Sequence, residues 1–84
     1  MTRIHIYTTD RCVKCDATKR AFQKEGASHL VDVIPLTAEK ADEFRKRGHM
    51  SAPIVHSTDG EEWSDYRRER ITQLAQRLLT KETP

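Results

Sequence analysis

Cys12 and Cys15 are the only two thiols in a chain of 84 residues, and two residues separate them. Three kinds of chemistry suit such a pair: a structural disulfide, half of a metal site, or a dithiol that exchanges with other disulfides. The structural bridge is the weakest reading, because a loop closed over two residues restricts the unfolded chain little. A reducing compartment would also open it. Zinc in a structural site takes four ligands, and beyond the thiols the chain offers His5, His29, His49 and His56. Thirteen residues lie between Cys15 and His29, a loose likeness to a zinc-finger spacing. No second histidine follows at the interval a finger needs, and Asp16 stands where a haem-attachment motif would place one.

Exchange chemistry has a basis in the flanking sequence. A short alternating run, "RIHIY" (Arg3 to Tyr7), precedes the pair, and from Cys12 to Glu25 the apolar period turns helical. Cys12 therefore falls where a loop becomes a helix. Unpaired N–H groups and the positive end of the helix dipole stabilise a thiolate there. Arg11 and Lys14 add positive potential, which Asp10 and Asp16 partly cancel. Such surroundings draw a thiol pKa from about 8.5 towards neutrality. Cys15, one turn further, points to the core and stays protonated. On this reading Cys12 attacks a substrate disulfide and Cys15 displaces the product from the mixed disulfide.

The elements that must hold this pair follow from periodicity. Ile4 and Ile6 alternate with Arg3, His5 and Tyr7, as in a strand. Cys15, Thr18 and Phe22, with Ala17 and Ala21, make one helical stripe that Gly26 stops. "HLVDVIPL" reads as a second strand, and Thr37 caps a short helix through about Arg47, with Ala41 and Phe44 inward and Gly48 at its end. "PIVHS" is a third strand, "TDG" a tight turn and "EEW" a brief fourth strand. Ile71, Leu74, Ala75, Leu78 and Leu79 recur with the spacing of an amphipathic helix. The order β-α-β-α-β-β-α, with a right-handed first crossover, predicts an α/β fold: a four-stranded mixed sheet with its three helices on both faces. His5, polar in what should be the central strand, is its weak point. It is read as a strand-end residue with a local hydrogen bond.

Residues 1–84 suffice for one domain. Hydrophobic residues are 36% of the chain and charged residues 33%, which leaves a small core. There is no internal repeat, no low-complexity tract and no apolar run that could cross a bilayer or serve as a signal peptide. The expectation is a cytoplasmic monomer. The 15 Lys and Arg nearly balance 13 Asp and Glu, so charge names no partner. "RKR" (Arg45 to Arg47) and "RRER" (Arg67 to Arg70) read as solvated helix faces, since no nucleic-acid recognition motif accompanies them.

Two motifs go further. "YTTDRCVKCDATKRAF" resembles the NrdH-redoxin family, whose hallmark is Cys-Val-Gln-Cys followed by Ala-Thr-Lys. Cys12, Val13, Cys15, Ala17, Thr18 and Lys19 match it, and Lys14 replaces Gln. "WSDYRRERI" is similar to the family's Trp-Ser-Gly-Phe-Arg-Pro-acidic stretch. Trp63, Ser64 and Arg67 are kept there, Tyr66 stands for Phe, Asp65 for Gly and Arg68 for Pro. "GHMSAPIV" occupies the place of a loop with a cis-proline, with Ser51 and Ala52 where bulkier residues are usual. The resemblance spans essentially the whole chain.

It implies a thioredoxin/glutaredoxin fold and a small dithiol–disulfide oxidoreductase without a bound cofactor. Its electrons would come from NADPH through thioredoxin reductase and pass to class Ib ribonucleotide reductase. It also implies that Cys12 is the nucleophile, Cys15 the resolving thiol and Pro53 the cis-proline. Arg11, Val13 and Lys14 would flank the dithiol, and the Ala52 backbone would pair with an extended substrate segment. Trp63 and Ser64 would help define the surface beside the dithiol; the alternative is an edge-strand Trp covering a small core and a Ser capping the last helix. With no Pro to fix its first turn, that helix is expected to begin early, capped by Ser64 or Asp65. Lys14 is expected to favour the thiolate and a more oxidising couple.

Two rival functions remain. A glutathione-dependent glutaredoxin generally carries Pro-Tyr between its cysteines and a Gly-Gly-x-Asp-type segment. Here Val13 and Lys14 intervene, and "TDGEEWSD" supplies only Gly60, followed by two acids expected to repel an anionic tripeptide. The other rival is a non-catalytic thioredoxin-like or zinc-binding module.

Overall fold

The computed structural model describes residues 2–82; Met1, Thr83 and Pro84 of the expected domain lie outside the described residues. Its elements are β1 (Ile4–Thr8), α1 (Val13–Lys24), a 3-10 turn (Ser28–Leu30), β2 (Val31–Pro35), α2 (Ala38–Lys46), β3 (Ile54–Ser57), β4 (Glu62–Ser64) and α3 (Arg68–Glu82). The strands form one sheet in the order β2-β1-β3-β4. β1 runs parallel to β2, with Ile6 opposite Val33. It runs antiparallel to β3, with His5 opposite His56, and β3 is antiparallel to β4, with Val55 opposite Trp63.

Side-chain alternation along the strands divides the core between two faces. Ile4, Ile6, Val55 and Trp63 pack in one cluster with Phe22 from α1 and Ile71, Leu74 and Leu78 from α3. Tyr7 and Ile54 form a second cluster with Phe44 from α2, and the Tyr7 and Phe44 rings meet edge-on at 4.9 Å. Tyr7 was expected on a polar face. It is buried because the central strand is covered on both sides.

His5 also departs from expectation. It lies within the central strand, not at its end, and its ring stacks on that of His56 at 5.9 Å. Its Nε2 is 3.7 Å from the Asp32 carboxylate, which Arg3 also holds at 2.7 Å. The half-exposed ring keeps access to a charged partner and water, so the polar residue is tolerated.

Helix ends follow local chemistry. The Thr37 hydroxyl accepts from the Lys40 N–H and caps α2. α1 closes at Gly26, whose φ of +78° lets the Ala27 N–H reach the Phe22 carbonyl at 3.0 Å. The second strand is shorter than expected, since His29 and Leu30 belong to the 3-10 turn. α3 does not begin early. Asp65 has a φ of +73°, which no right-handed helix admits, and the helix opens with the Ile71 N–H donating to the Arg67 carbonyl.

Charge pairs hold the β3–β4 turn. Asp59 accepts from the Ser57 hydroxyl and the Arg77 guanidinium. Glu61 accepts from Arg70 and Arg77, and Glu62 from Arg47 at 2.8 Å and His49 at 2.9 Å. Arg77 holds the Asp59 carboxyl below the usual carboxylate range, and Arg47 does the same for Glu62. A carboxyl depressed in the folded state contributes stability above its unfolded pKa and loses it as pH falls through the folded value. The urea midpoint is therefore expected to be flat near neutrality and to drop below about pH 4. Arg77→Gln should lower the neutral midpoint and shrink the acid drop; an acid drop as steep as wild type would exclude the Arg77–Asp59 pair as one of its causes.

Candidate active site

The dithiol sits where β1 hands over to α1. Arg11 turns the chain with a φ of +55°, and Cys12 follows in extended conformation as the N-cap of α1. Cys12 and Cys15 are joined in a disulfide, with their Cα atoms 5.1 Å apart. The Cys15 N–H donates to Cys12 Sγ at 3.1 Å, and the Asp16 N–H to the Cys12 carbonyl at 3.1 Å. Cys12 thus takes the place of the usual oxygen-bearing cap, its sulfur set against the unpaired donors of the first turn. The two residues differ in burial: Cys12 is half-buried, whereas Cys15 is 1% exposed. Thr18, fully buried, donates its hydroxyl to the Lys14 carbonyl at 2.8 Å and fixes the turn between the cysteines.

Two further loops join this turn. The Ala52–Pro53 peptide bond is cis. The Pro53 carbonyl accepts from the Asp65 N–H at 2.9 Å, tying the residue after β4 to the proline loop. The Asp65 carboxylate in turn meets Lys14 Nζ at 2.9 Å. Among the described residues no hydrogen bond engages the backbone of half-buried Ala52, which belongs to neither β3 nor β4. Exposed apolar side chains stand in all three segments: Val13 (81%), Met50 (74%) and Tyr66.

Several expected residues lie elsewhere or act otherwise. Of the two readings given for Trp63, the structure shows the core one: it is 1% exposed, β4 turns it inward opposite Val55, and Arg70 covers its ring at 4.7 Å. Ser64 is half-buried and caps no helix; its carbonyl accepts from Arg67. Lys14 does not stand alone beside the dithiol: its ammonium is paired with Asp65. Nor do Glu61 and Glu62 form an open anionic patch, since arginines and His49 pair both. Arg11 is exposed and makes no ion pair among the described residues. Among those residues no three His, Cys, Asp or Glu side chains are grouped to hold a metal ion. Sequence reasoning missed the role of Asp65. The available signal was an acid and a lysine at two departures from one family pattern.

A mixed four-stranded sheet with a Cys-x-x-Cys disulfide at the first helix start, tied to a cis-proline loop, defines a thioredoxin-fold thiol–disulfide oxidoreductase. No protein-family model matches the chain. It is 37% identical over 71 residues to the glutaredoxin-like protein NrdH of Salmonella typhimurium, covering 84% of this chain and 86% of that one. To the Escherichia coli K12 protein of the same name it is 36% identical over 72 residues, 86% and 88% of the two chains. The solved structure of NrdH-redoxin from Escherichia coli, described for its thioredoxin-like activity profile, matches with a TM-score of 0.75 at 36% identity over 86% of this chain and 93% of that one. The chain belongs to the NrdH family of glutaredoxin-like proteins.

Proposed function

We propose that this protein is a cytoplasmic electron carrier that takes two electrons from thioredoxin reductase, fed by NADPH, and delivers them to class Ib ribonucleotide reductase. The observation that carries this reading is the asymmetry of the pair: a partly exposed Cys12 at a helix start and a buried Cys15 one turn on. In the reduced protein the Cys12 thiolate attacks a substrate disulfide, forming a mixed disulfide and releasing one substrate thiolate. Cys15 then loses its proton and attacks Cys12 Sγ, so that the internal disulfide closes and the second substrate sulfur leaves. Two electrons pass to the substrate, and the reductase returns them.

Val13 between the cysteines, Met50 ahead of the proline loop and Tyr66 after Asp65 are exposed apolar side chains of the kind a protein partner covers. The unengaged Ala52 backbone can pair with an extended substrate segment beside cis-Pro53. No helix among the described residues is long and apolar enough to cross a membrane, in keeping with a carrier that meets diffusing partners. The preference for thioredoxin reductase over glutathione draws on the missing Pro-Tyr and Gly-Gly-x-Asp features and on the thioredoxin-like profile of the Escherichia coli relative. It does not draw on Glu61 and Glu62, whose charges are compensated.

The test measures NADPH consumption with thioredoxin reductase and with glutathione plus glutathione reductase, each coupled to ribonucleotide reductase turnover. Turnover is expected with the first system. Turnover with the second alone would make the protein a glutathione-dependent glutaredoxin.

A further inference from the structure

Lys14 and Asp65 are far apart in sequence, and each departs from the pattern that the two motifs resemble. In the structure they meet, Nζ to Oδ1, at 2.9 Å. Asp65 has other obligations. Its N–H reaches the Pro53 carbonyl, its Oδ1 accepts from the Tyr66 N–H at 2.8 Å, and its φ of +73° is one that side chains other than Gly rarely adopt. An acid thus occupies a glycine-type position, and it points at the one residue between the cysteines whose charge could reach Cys12. Both side chains are about half exposed, and an exposed pair contributes little to stability. Its consequence is electrostatic.

We propose that Asp65 is a positioning residue for the dithiol: it draws Lys14 onto the Pro53 loop and withholds its charge from the Cys12 sulfur. The thiolate then relies on the helix start and on Arg11. This rests on the reading of Cys12 as the attacking sulfur. The other charges near Cys12 leave this division intact. From α1, Asp16 pairs with Lys19 at 3.2 Å. In the loop before it, Asp10 and Arg11 are both exposed and make no ion pair among the described residues. From the loop after β4, Arg67 turns its guanidinium to the Ser64 carbonyl. Among the described residues Lys14 makes no ion pair other than the one with Asp65.

The test is a cycle of four proteins, each also carrying Cys15→Ser so that only the Cys12 thiol titrates: otherwise wild type, Asp65→Asn, Lys14→Gln and the pair together. Asn accepts the left-handed backbone and can still cap Tyr66, so the change removes charge and leaves shape. The Cys12 pKa is read from thiolate absorbance at low salt. With Lys14 present, Asp65→Asn should lower that pKa by about half a unit, roughly threefold in ionisation constant. With Lys14→Gln the same substitution should move it less than half as far. High salt should collapse the difference. Equal shifts in both backgrounds would overturn the proposal, leaving Asp65 an independent charge that holds nothing. A distinct outcome, in which iodoacetamide labels Cys15 and not Cys12 in the reduced protein with both thiols, would sink the nucleophile assignment itself.

Discussion

Cys12→Ser is expected to end disulfide exchange altogether, and Cys15→Ser to turn the protein into a trap. A serine at position 12 keeps the cap, since its hydroxyl can accept the Cys15 N–H that now meets sulfur at 3.1 Å. The fold should therefore survive with little change in thermal midpoint. The chemistry cannot survive: a hydroxyl does not ionise near neutrality, and loss of a nucleophile lowers turnover by roughly a thousandfold or more. Cys15→Ser leaves attack intact and removes the step that resolves it. The mixed disulfide with the partner's sulfur should accumulate to near one equivalent, visible as a mass adduct that dithiothreitol removes. The near-complete burial of Cys15 favours that accumulation, because little else can reach the bond from within. If Cys15→Ser turned over at the wild-type rate with a protein disulfide, the two-cysteine mechanism would be wrong. A trap on Cys15 in the Cys12→Ser protein would reverse the assigned roles.

The dithiol's place was readable from sequence for a physical reason. Strand and helix leave different periods, and the change from Ile4/Ile6 alternation to the Cys15–Thr18–Phe22 stripe marks the junction where Cys12 must lie. Helix capping is equally local, so Thr37 and Gly26 announced themselves. Errors arose where contacts distant in sequence decide. Tyr7 looks solvent-facing along its own strand, and only the packing of Phe44 from α2 buries it. Trp63 belongs to a motif, but which face of a three-residue strand turns inward depends on the β3 register. The charges of Lys14, Glu61 and Glu62 were each judged alone. They are paired with Asp65, Arg47, Arg70 and Arg77, which only folding brings near. Helix α3 shows the limit of propensity: an acid and a serine ahead of a helical period suggested an earlier cap, whereas the bond from Asp65 to Pro53 holds that segment in a turn.

Trp63 carries the second large effect, and two substitutions separate its volume from its polarity. It is the largest fully buried side chain, and it packs between the sheet and α3. Trp63→Ala should cost about 3–5 kcal/mol, through lost apolar burial and the cavity left behind. For a chain of this size, with a total stability of about 5–10 kcal/mol, that removes much of the margin and should lower the thermal midpoint by well over ten degrees. Trp63→Phe is expected to behave differently. The indole N–H is buried and has no hydrogen-bond partner among the described residues, and leaving such a donor buried costs about 1–3 kcal/mol. Removing it offsets most of the lost ring volume, while Arg70 can still lie over an aromatic face. The net change should stay below about 1.5 kcal/mol. Urea unfolding of both variants decides the matter: a Phe variant as unstable as the Ala variant would mean that the indole N–H makes a bond the core depends on. Because Trp63 is 1% exposed, the Phe variant should also keep wild-type exchange kinetics with a protein disulfide. A rise in KM there at unchanged stability would return Trp63 to the docking surface.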